Sequence, residues 1–335
     1  MSSPVISTVV FSPKAFDLSN GTYDEKRRLG QIVIAAFSNI YQNGVILQPE
    51  SNDTPWNKGF KDFYFEERIR LKEIVKKFLR SKRFIKIIIN KIKLNDCQQV
   101  SKLMKIEELD FCVLPRVSIC NFPYCCLIGT PNLCIDEFFN KKSLKIFEPL
   151  FKKRSFDINQ KFGNINDLGE FFLKRLFHFT KDVEIIDRYA GQNLIRGTYQ
   201  GTHYCTLSWM YEVFKTTNTN QGNFIIHTTT GDISQTPSDI ENNAHQWISQ
   251  QNVDQNHKIL IKIYSYRNRR TTFPHHRVIH TDQFSFLFDS GFAFITDYPG
   301  RLELKNQPNY VNFFDQWNET VNTLRNLTVD SIIST

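Results

Sequence analysis

Phe273–Phe294 reads FPHHRVIHTDQFSFLFDSGFAF, and this stretch decides how the second half of the chain is read. Arg277–Thr281 (RVIHT) and Phe284–Phe288 (FSFLF) are β-branched and aromatic runs separated by Asp282-Gln283. That pattern predicts two strands around a tight turn. His275, His276 and Arg277 stand at the entrance to the first of them.

Outward from this hairpin, helical and strand patterns alternate. Asp167–Thr180 and Thr202–Lys215 have helical spacing. Ser238 is expected to cap a further helix running to Gln251, with Glu241 at the capping-box distance. Val183–Ile186, Asn223–Thr228 and Ile259–Tyr266 are apolar runs of strand length. Tyr310–Asn326 is expected to close the domain as a helix. The alternation implies an α/β domain over residues 164–335, with a mixed, largely parallel sheet covered by helices on both faces. Such sheets carry their sites at the carboxyl ends of the strands. Asp187-Arg188, Thr228–Asp232 and Arg267–His276 each follow a strand, so they are expected to converge.

His275, Arg277 and Asp282 have the spacing H-x-R-x4-D. Here the sequence resembles the phospholipase D superfamily, whose motif is H-x-K-x4-D followed six residues later by G-S-x-N. His275, Asp282 and Ser290 match it, while Arg277 replaces Lys, Asp289 replaces Gly and Phe292 replaces Asn. The run also resembles a degenerate branch found as the C-terminal domain of MIT-containing membrane proteins and in related bacterial proteins. Its H-D-R run and later Gly compare with His275-His276-Arg277 and Gly291-Phe292. An Asp-containing turn after its first strand compares with Asp187-Arg188-Tyr189. The resemblance covers residues 164–327 and is one of pattern rather than of close identity.

The resemblance implies a metal-independent phosphodiesterase, a nuclease given the basic charge, needing no cofactor. His275 would be the nucleophile, Arg277 would grip phosphate, Asp282 would orient the histidine and Ser290 would support the pocket. The family brings two motifs to one site, and this chain has one. Either a homodimer supplies a second His275, or Asp187 or His203 of the same chain supplies the acid. The rival expectation is a module that kept the fold and lost the chemistry, binding nucleic acid, an anionic lipid or a protein partner. Bacterial members of the branch sit in defence operons, which makes that a setting the resemblance suggests.

The N-terminal half, residues 1–155, reads as a mixed α+β domain with no motif. Val5–Phe11 is expected as a strand, and Asp24–Gln42 and Phe63–Arg83 as helices. Ile85–Ile89 fits either a strand or a continuation of the helix, and Ile135–Phe151 fits a helix. Arg68–Lys93 carries 11 Lys plus Arg against one acid, Glu73. Lys76, Lys77, Arg80, Lys82 and Arg83 are its candidate nucleic-acid contacts, weighed against a solvated charged face. Arg267, Arg269 and Arg270 form a second candidate contact beside the motif.

The chain has 335 residues and a formal net charge of +8, basic enough to favour a polyanionic partner. Of seven Cys, Cys97, Cys112, Cys120, Cys125, Cys126 and Cys134 fall close together and Cys205 stands apart. Their spacing fits buried thiols better than the paired C-x2-4-C ligands of structural zinc. With no signal-peptide pattern and no apolar run of membrane-spanning length, a cytoplasmic setting is expected. Trp209 and Trp247 are expected in the core.

Overall fold

The computed structural model describes residues 5–11, 15–16, 21–50, 56–88, 110–114, 132–134, 155–195, 202–218, 221–230, 236–265, 267–268, 271–298, 301–313 and 323–335. The chain divides into two compact units, Ser3–Lys152 and Lys153–Thr335. The helix expected over Ile135–Phe151 lies outside the described residues, as do Cys97, Cys120, Cys125 and Cys126.

In the first unit, β1 (Ser7–Phe11), β2 (Gly44–Glu50), β3 (Phe84–Ile88), β4 (Phe111–Leu114) and β5 (Asn132–Cys134) form one sheet in the order β3-β2-β1-β4-β5. Every pairing in it is parallel. The ambiguous Ile85–Ile89 run is therefore strand. Helix α1 (Tyr23–Asn43) starts at Thr22, which closes a capping box with Glu25. Its Leu29, Val33, Ala36, Phe37 and Ile40 recur at helical spacing and are fully buried. A 3-10 helix (Trp56–Asp62) leads into α2 (Phe65–Arg80). Phe60 and Phe78 meet Phe37 from these two elements, and Phe11 stacks on Phe37 at 5.0 Å. This aromatic cluster is the core of the unit.

In the second unit an eight-stranded mixed sheet runs β17-β9-β8-β7-β12-β13-β16-β6. These strands are β6 (Ser155–Asp157), β7 (Asp182–Ile186), β8 (Gly222–Thr229), β9 (His257–Tyr264), β12 (Arg277–Thr281), β13 (Ser285–Phe288), β16 (Tyr310–Phe313) and β17 (Val329–Ser334). The four strands read between Val183 and Thr281 lie in this one sheet, and β12 and β13 form the expected hairpin. Parallel pairing is confined to β7, β8 and β9. The others join antiparallel, so less of the sheet is parallel than the alternation implied. The short strands β10 (Arg267–Asn268) and β11 (Thr271–Thr272) pair with each other, as do β14 (Ile295–Tyr298) and β15 (Arg301–Leu304).

Helices α3 (Ile158–Phe162), α4 (Ile165–Leu168), α5 (Lys174–Phe177), α6 (Thr202–Thr217) and α7 (Pro237–Ser249) flank the sheet. A π-helical turn, Gly169–Leu173, joins α4 to α5. On one side Phe177, Tyr211 and Phe214 pack with Phe224 of β8 and fill the core, with Trp247 wholly buried. Trp209 is half-buried against Gly169. On the other side Ile186, Val278, Tyr264 and Phe273 gather with Leu324 and Leu327.

Two expectations need correction. The last helix does not begin at Tyr310. Tyr310–Phe313 is an inner strand, because Val311 is buried when it pairs with both Phe288 and Phe156. Val329–Ser334 is also a strand, at the opposite edge. The cap of α7 is Thr236, boxed with Asp239, rather than Ser238 with Glu241. Pro237 explains the shift, since its fixed φ and missing N–H suit the first helical position.

Candidate functional site

The parallel strand β7 ends at Ile186, and antiparallel β12 begins at Arg277 beside it, with Val278 opposite Ile186. The Asp187-Arg188-Tyr189 turn and the residues entering β12 therefore meet at one end of the sheet. The turn is anchored from beneath. Thr228 of β8 accepts from the Gly191 amide at 2.9 Å and donates to the Arg188 carbonyl at 3.3 Å. A Cβ at Gly191 would come within 2.8 Å of Thr228 and Ile240, so only glycine allows this approach.

Asp187 has no exposed surface. Its carboxylate accepts from the Tyr189 amide at 2.9 Å, the Phe292 amide at 3.4 Å and Nε2 of His203 at 3.2 Å. His203 lies in the first turn of α6 with its side chain 12% exposed. Burial by itself would push the Asp187 carboxyl up. The His203 hydrogen bond and charge, the Tyr189 amide and the nearby Arg277 outweigh it and hold the group below the usual carboxylate range. Because an ionised carboxylate only accepts, Nε2 of His203 carries a proton toward Asp187.

Arg277 approaches the same point from β12. A Cβ added to Gly291 would stand 2.5 Å from Arg277 Cδ and 3.0 Å from Asp187 Oδ2. Gly291 also has φ +76, a conformation that L side chains rarely adopt. The Arg277 guanidinium donates to the Asp289 carbonyl at 2.6 Å and lies 5.6 Å from the centre of the Tyr189 ring. Arg188 lies 4.8 Å from that same ring, so one aromatic side chain supports two guanidinium groups. Arg188 also reaches His275, its Nη1 being 3.1 Å from both ring nitrogens. Equal distances place that nitrogen over the ring rather than along one lone pair. His275 itself is exposed.

The structure thus brings together Asp187, His203 and Arg277, while His275 joins the same turn through Arg188, with Ser290 on the adjoining turn. The Ser290 hydroxyl is taken up by Asp289 Oδ1 at 3.1 Å and the Pro308 carbonyl at 3.2 Å. Asp282 is elsewhere. It follows the far end of β12, where its amide donates to Thr180 Oγ1 and its carboxylate accepts from the Lys181 amide. Five strand residues separate it from His275's end, roughly 16 Å at the usual rise. Asp282 cannot orient His275, and the carboxylate at the site is Asp187, which orients His203 instead. At Phe292, where the family motif has Asn, only the backbone amide serves the site, while the ring packs on Phe288 at 4.9 Å.

Sequence reading gave no role to Arg188 or Tyr189, although both sit in the turn it singled out. It also missed a buried relay across three neighbouring strands. His227 Nε2 meets Glu184 at 2.8 Å and Nδ1 meets the Tyr264 hydroxyl at 2.9 Å. Burial pushes His227 down, so it is neutral, while its hydrogen bond keeps Glu184 low against the effect of burial. Burial also raises the Tyr264 hydroxyl to about 12. The residues were visible, but only the register of β7, β8 and β9 sets them side by side.

Of the basic candidates, Lys77 and Arg80 are exposed on α2, and Lys76 is held by Glu73 at 2.6 Å. Lys82 occupies a left-handed position at φ 52 in the turn after α2. Arg83 is buried, donates to the Tyr41 carbonyl at 2.5 Å and lies 5.0 Å from the Tyr41 ring. Its buried side chain leaves little surface to offer a nucleic acid. The backbone of Arg267 pairs in β10, whereas Arg269 and Arg270 lie outside the described residues. No family model matches this chain, and no curated protein matches it.

Proposed function

We propose that the second unit is a nucleic-acid-directed, phospholipase D-like phosphodiesterase. The observation that carries this reading is the buried Asp187–His203 pair standing beside Arg277, at the sheet end where exposed His275 lies against the buried Arg188. Arg188 and Arg277 would hold the non-bridging oxygens of a phosphodiester, as forked donors suit that geometry. A His275 ring nitrogen would attack phosphorus, forming a P–N bond as the P–O bond to the leaving strand breaks. His203, protonated and stabilised by Asp187, would give its proton to that leaving oxygen. Water would then attack the phosphohistidine, passing a proton to His203 and freeing His275. Both histidines come from one chain, so this scheme needs no second subunit.

The test is a nuclease assay in EDTA on single- and double-stranded DNA and RNA. The expected result is cleavage that His275→Ala abolishes and His203→Ala reduces by about a hundredfold. The two guanidinium groups over the Tyr189 ring favour a second reading, in which Arg188 and Arg277 bind the backbone without cleaving it. In that case nucleic acid binds without cleavage, and Arg188→Ala and Arg277→Ala weaken binding while His275→Ala does not.

A further inference from the structure

A cavity lies within the first unit, between the 3-10 helix Trp56–Asp62 and α2. It has a volume of about 680 Å³, in the range of small-molecule pockets. Phe60 and Val75 give it apolar surface, and Asn57 supplies an amide. The remaining lining is cationic: Lys58 and Lys61 from the 3-10 helix, Arg68, Lys72 and Lys76 from α2.

The spacing shows why these charges converge. A 3-10 helix has three residues per turn, so Lys58 and Lys61 project along one line. Arg68, Lys72 and Lys76 follow one another at intervals of four and share one face of α2. Two cationic rows therefore face a common space. Like charges at that interval destabilise a helix, so the helix gains nothing from the row itself. Of the cavity's cations Glu73 meets Lys76, and among the described residues no acidic residue lines the cavity. Arg68 also touches the edge of an aromatic platform. Its guanidinium is 5.6 Å from the centre of the Phe65 ring, and Phe65 is 65% exposed.

We propose that this cavity binds a nucleotide carrying two or more phosphates, the phosphates between the two cationic rows and the base against Phe65. Several cations around one open cleft match a polyphosphate better than a single carboxylate, and an exposed ring beside an arginine suits a flat base. The site is separate from the phosphodiester chemistry proposed for the second unit, and its ligand is a small molecule rather than a strand.

The experiment titrates the full chain with ATP, tripolyphosphate, adenosine and a short single-stranded DNA by calorimetry, at about 20 mM and about 150 mM KCl. ATP and tripolyphosphate are expected to bind, more weakly at the higher salt, and adenosine is not. Arg68→Ala/Lys72→Ala and Lys58→Ala/Lys61→Ala should each weaken ATP by about tenfold or more, with unchanged circular dichroism. Arg70→Ala/Lys77→Ala, on another face of α2, should leave ATP within about twofold. Phe65→Ala should weaken ATP and spare tripolyphosphate. Absence of ATP binding at low salt overturns the proposal. So do equal losses from the cavity and control variants, an unchanged ATP affinity in Phe65→Ala, or cavity-dependent binding of the DNA alone. His203→Ala and His275→Ala should not alter ATP affinity, which keeps this test independent of the nuclease assay.

Discussion

The Asp187 carboxylate meets Nε2 of His203 at 3.2 Å with no part of Asp187 reaching solvent. One residue ends a strand and the other begins a helix, so the pair ties β7 to α6 at the candidate site. A buried carboxylate that loses its partner keeps only its two amide donors. His203→Ala is therefore expected to cost about 2 kcal/mol of stability, read as a lowered urea midpoint at unchanged slope. An unchanged midpoint would mean the pair contributes nothing to the fold.

The same pair makes stability depend on pH in the acid range. Asp187 titrates below its ordinary value in the folded chain, so its contribution is complete above the unfolded pKa of about 3.9 and fades as pH falls through the folded one. In Asp187→Asn this component is missing. The difference in Tm between the two proteins should shrink steadily as pH is taken from about 5 to about 3. A difference that stays constant over that range argues against a depressed Asp187.

The His227 relay predicts an earlier acid transition. Burial keeps the folded imidazole neutral, so below about pH 6.5 the unfolded chain takes up a proton that the folded chain refuses. Stability gained above that pH is lost as pH falls. His227→Gln should flatten the Tm profile between about pH 7 and about pH 5 while lowering Tm throughout. Parallel profiles for the two proteins would assign the transition to other groups.

Gly291 allows Arg277 and Asp187 to converge. Gly291→Ala meets both a positive φ and an added methyl 2.5 Å from Arg277 Cδ. The strain should cost about 1–2 kcal/mol and displace the guanidinium, so nucleic-acid affinity falls as well as stability. A variant that loses stability but binds as before would detach Arg277 from binding.

Arg83 gives the contrasting case on the basic segment. Arg83→Ala should lower the stability of the first unit, because the Tyr41 carbonyl loses its buried donor, and it should leave nucleic-acid affinity unaltered. Lys77→Ala and Arg80→Ala should do the opposite. Binding loss in folded Arg83→Ala protein would return this residue to the interface.

The strands around the site were legible because they are short apolar runs bounded by turns, and such runs at β7, β8, β9 and β12 hardly fit another structure. The Asp187 turn and the His275–Arg277 run were likewise recognisable, since site residues follow or precede strand ends. The position of Asp282 was not. Its spacing from His275 is a distance along the chain, and an extended strand converts it into opposite ends of the sheet. Tyr310–Phe313 was misread because four residues fit either periodicity, and partners remote in sequence decide between them. Glu184, His227 and Tyr264 carry no local signal at all, since only strand register joins them.

The strand order also governs when the fold can form. β6, among the first residues of the second unit, pairs with β16, and β9 pairs with β17, so two edges close through contacts between distant parts of the chain. Such long-range closure slows folding relative to local pairing. A ribosome-bound chain that has emitted Asp187 and His203 still lacks Arg277 and Gly291, and until β17 emerges one side of β9 offers unpaired backbone. During synthesis, then, Asp187 and His203 leave the ribosome before Arg277 can join them, and the most vulnerable interval for aggregation precedes the arrival of β17.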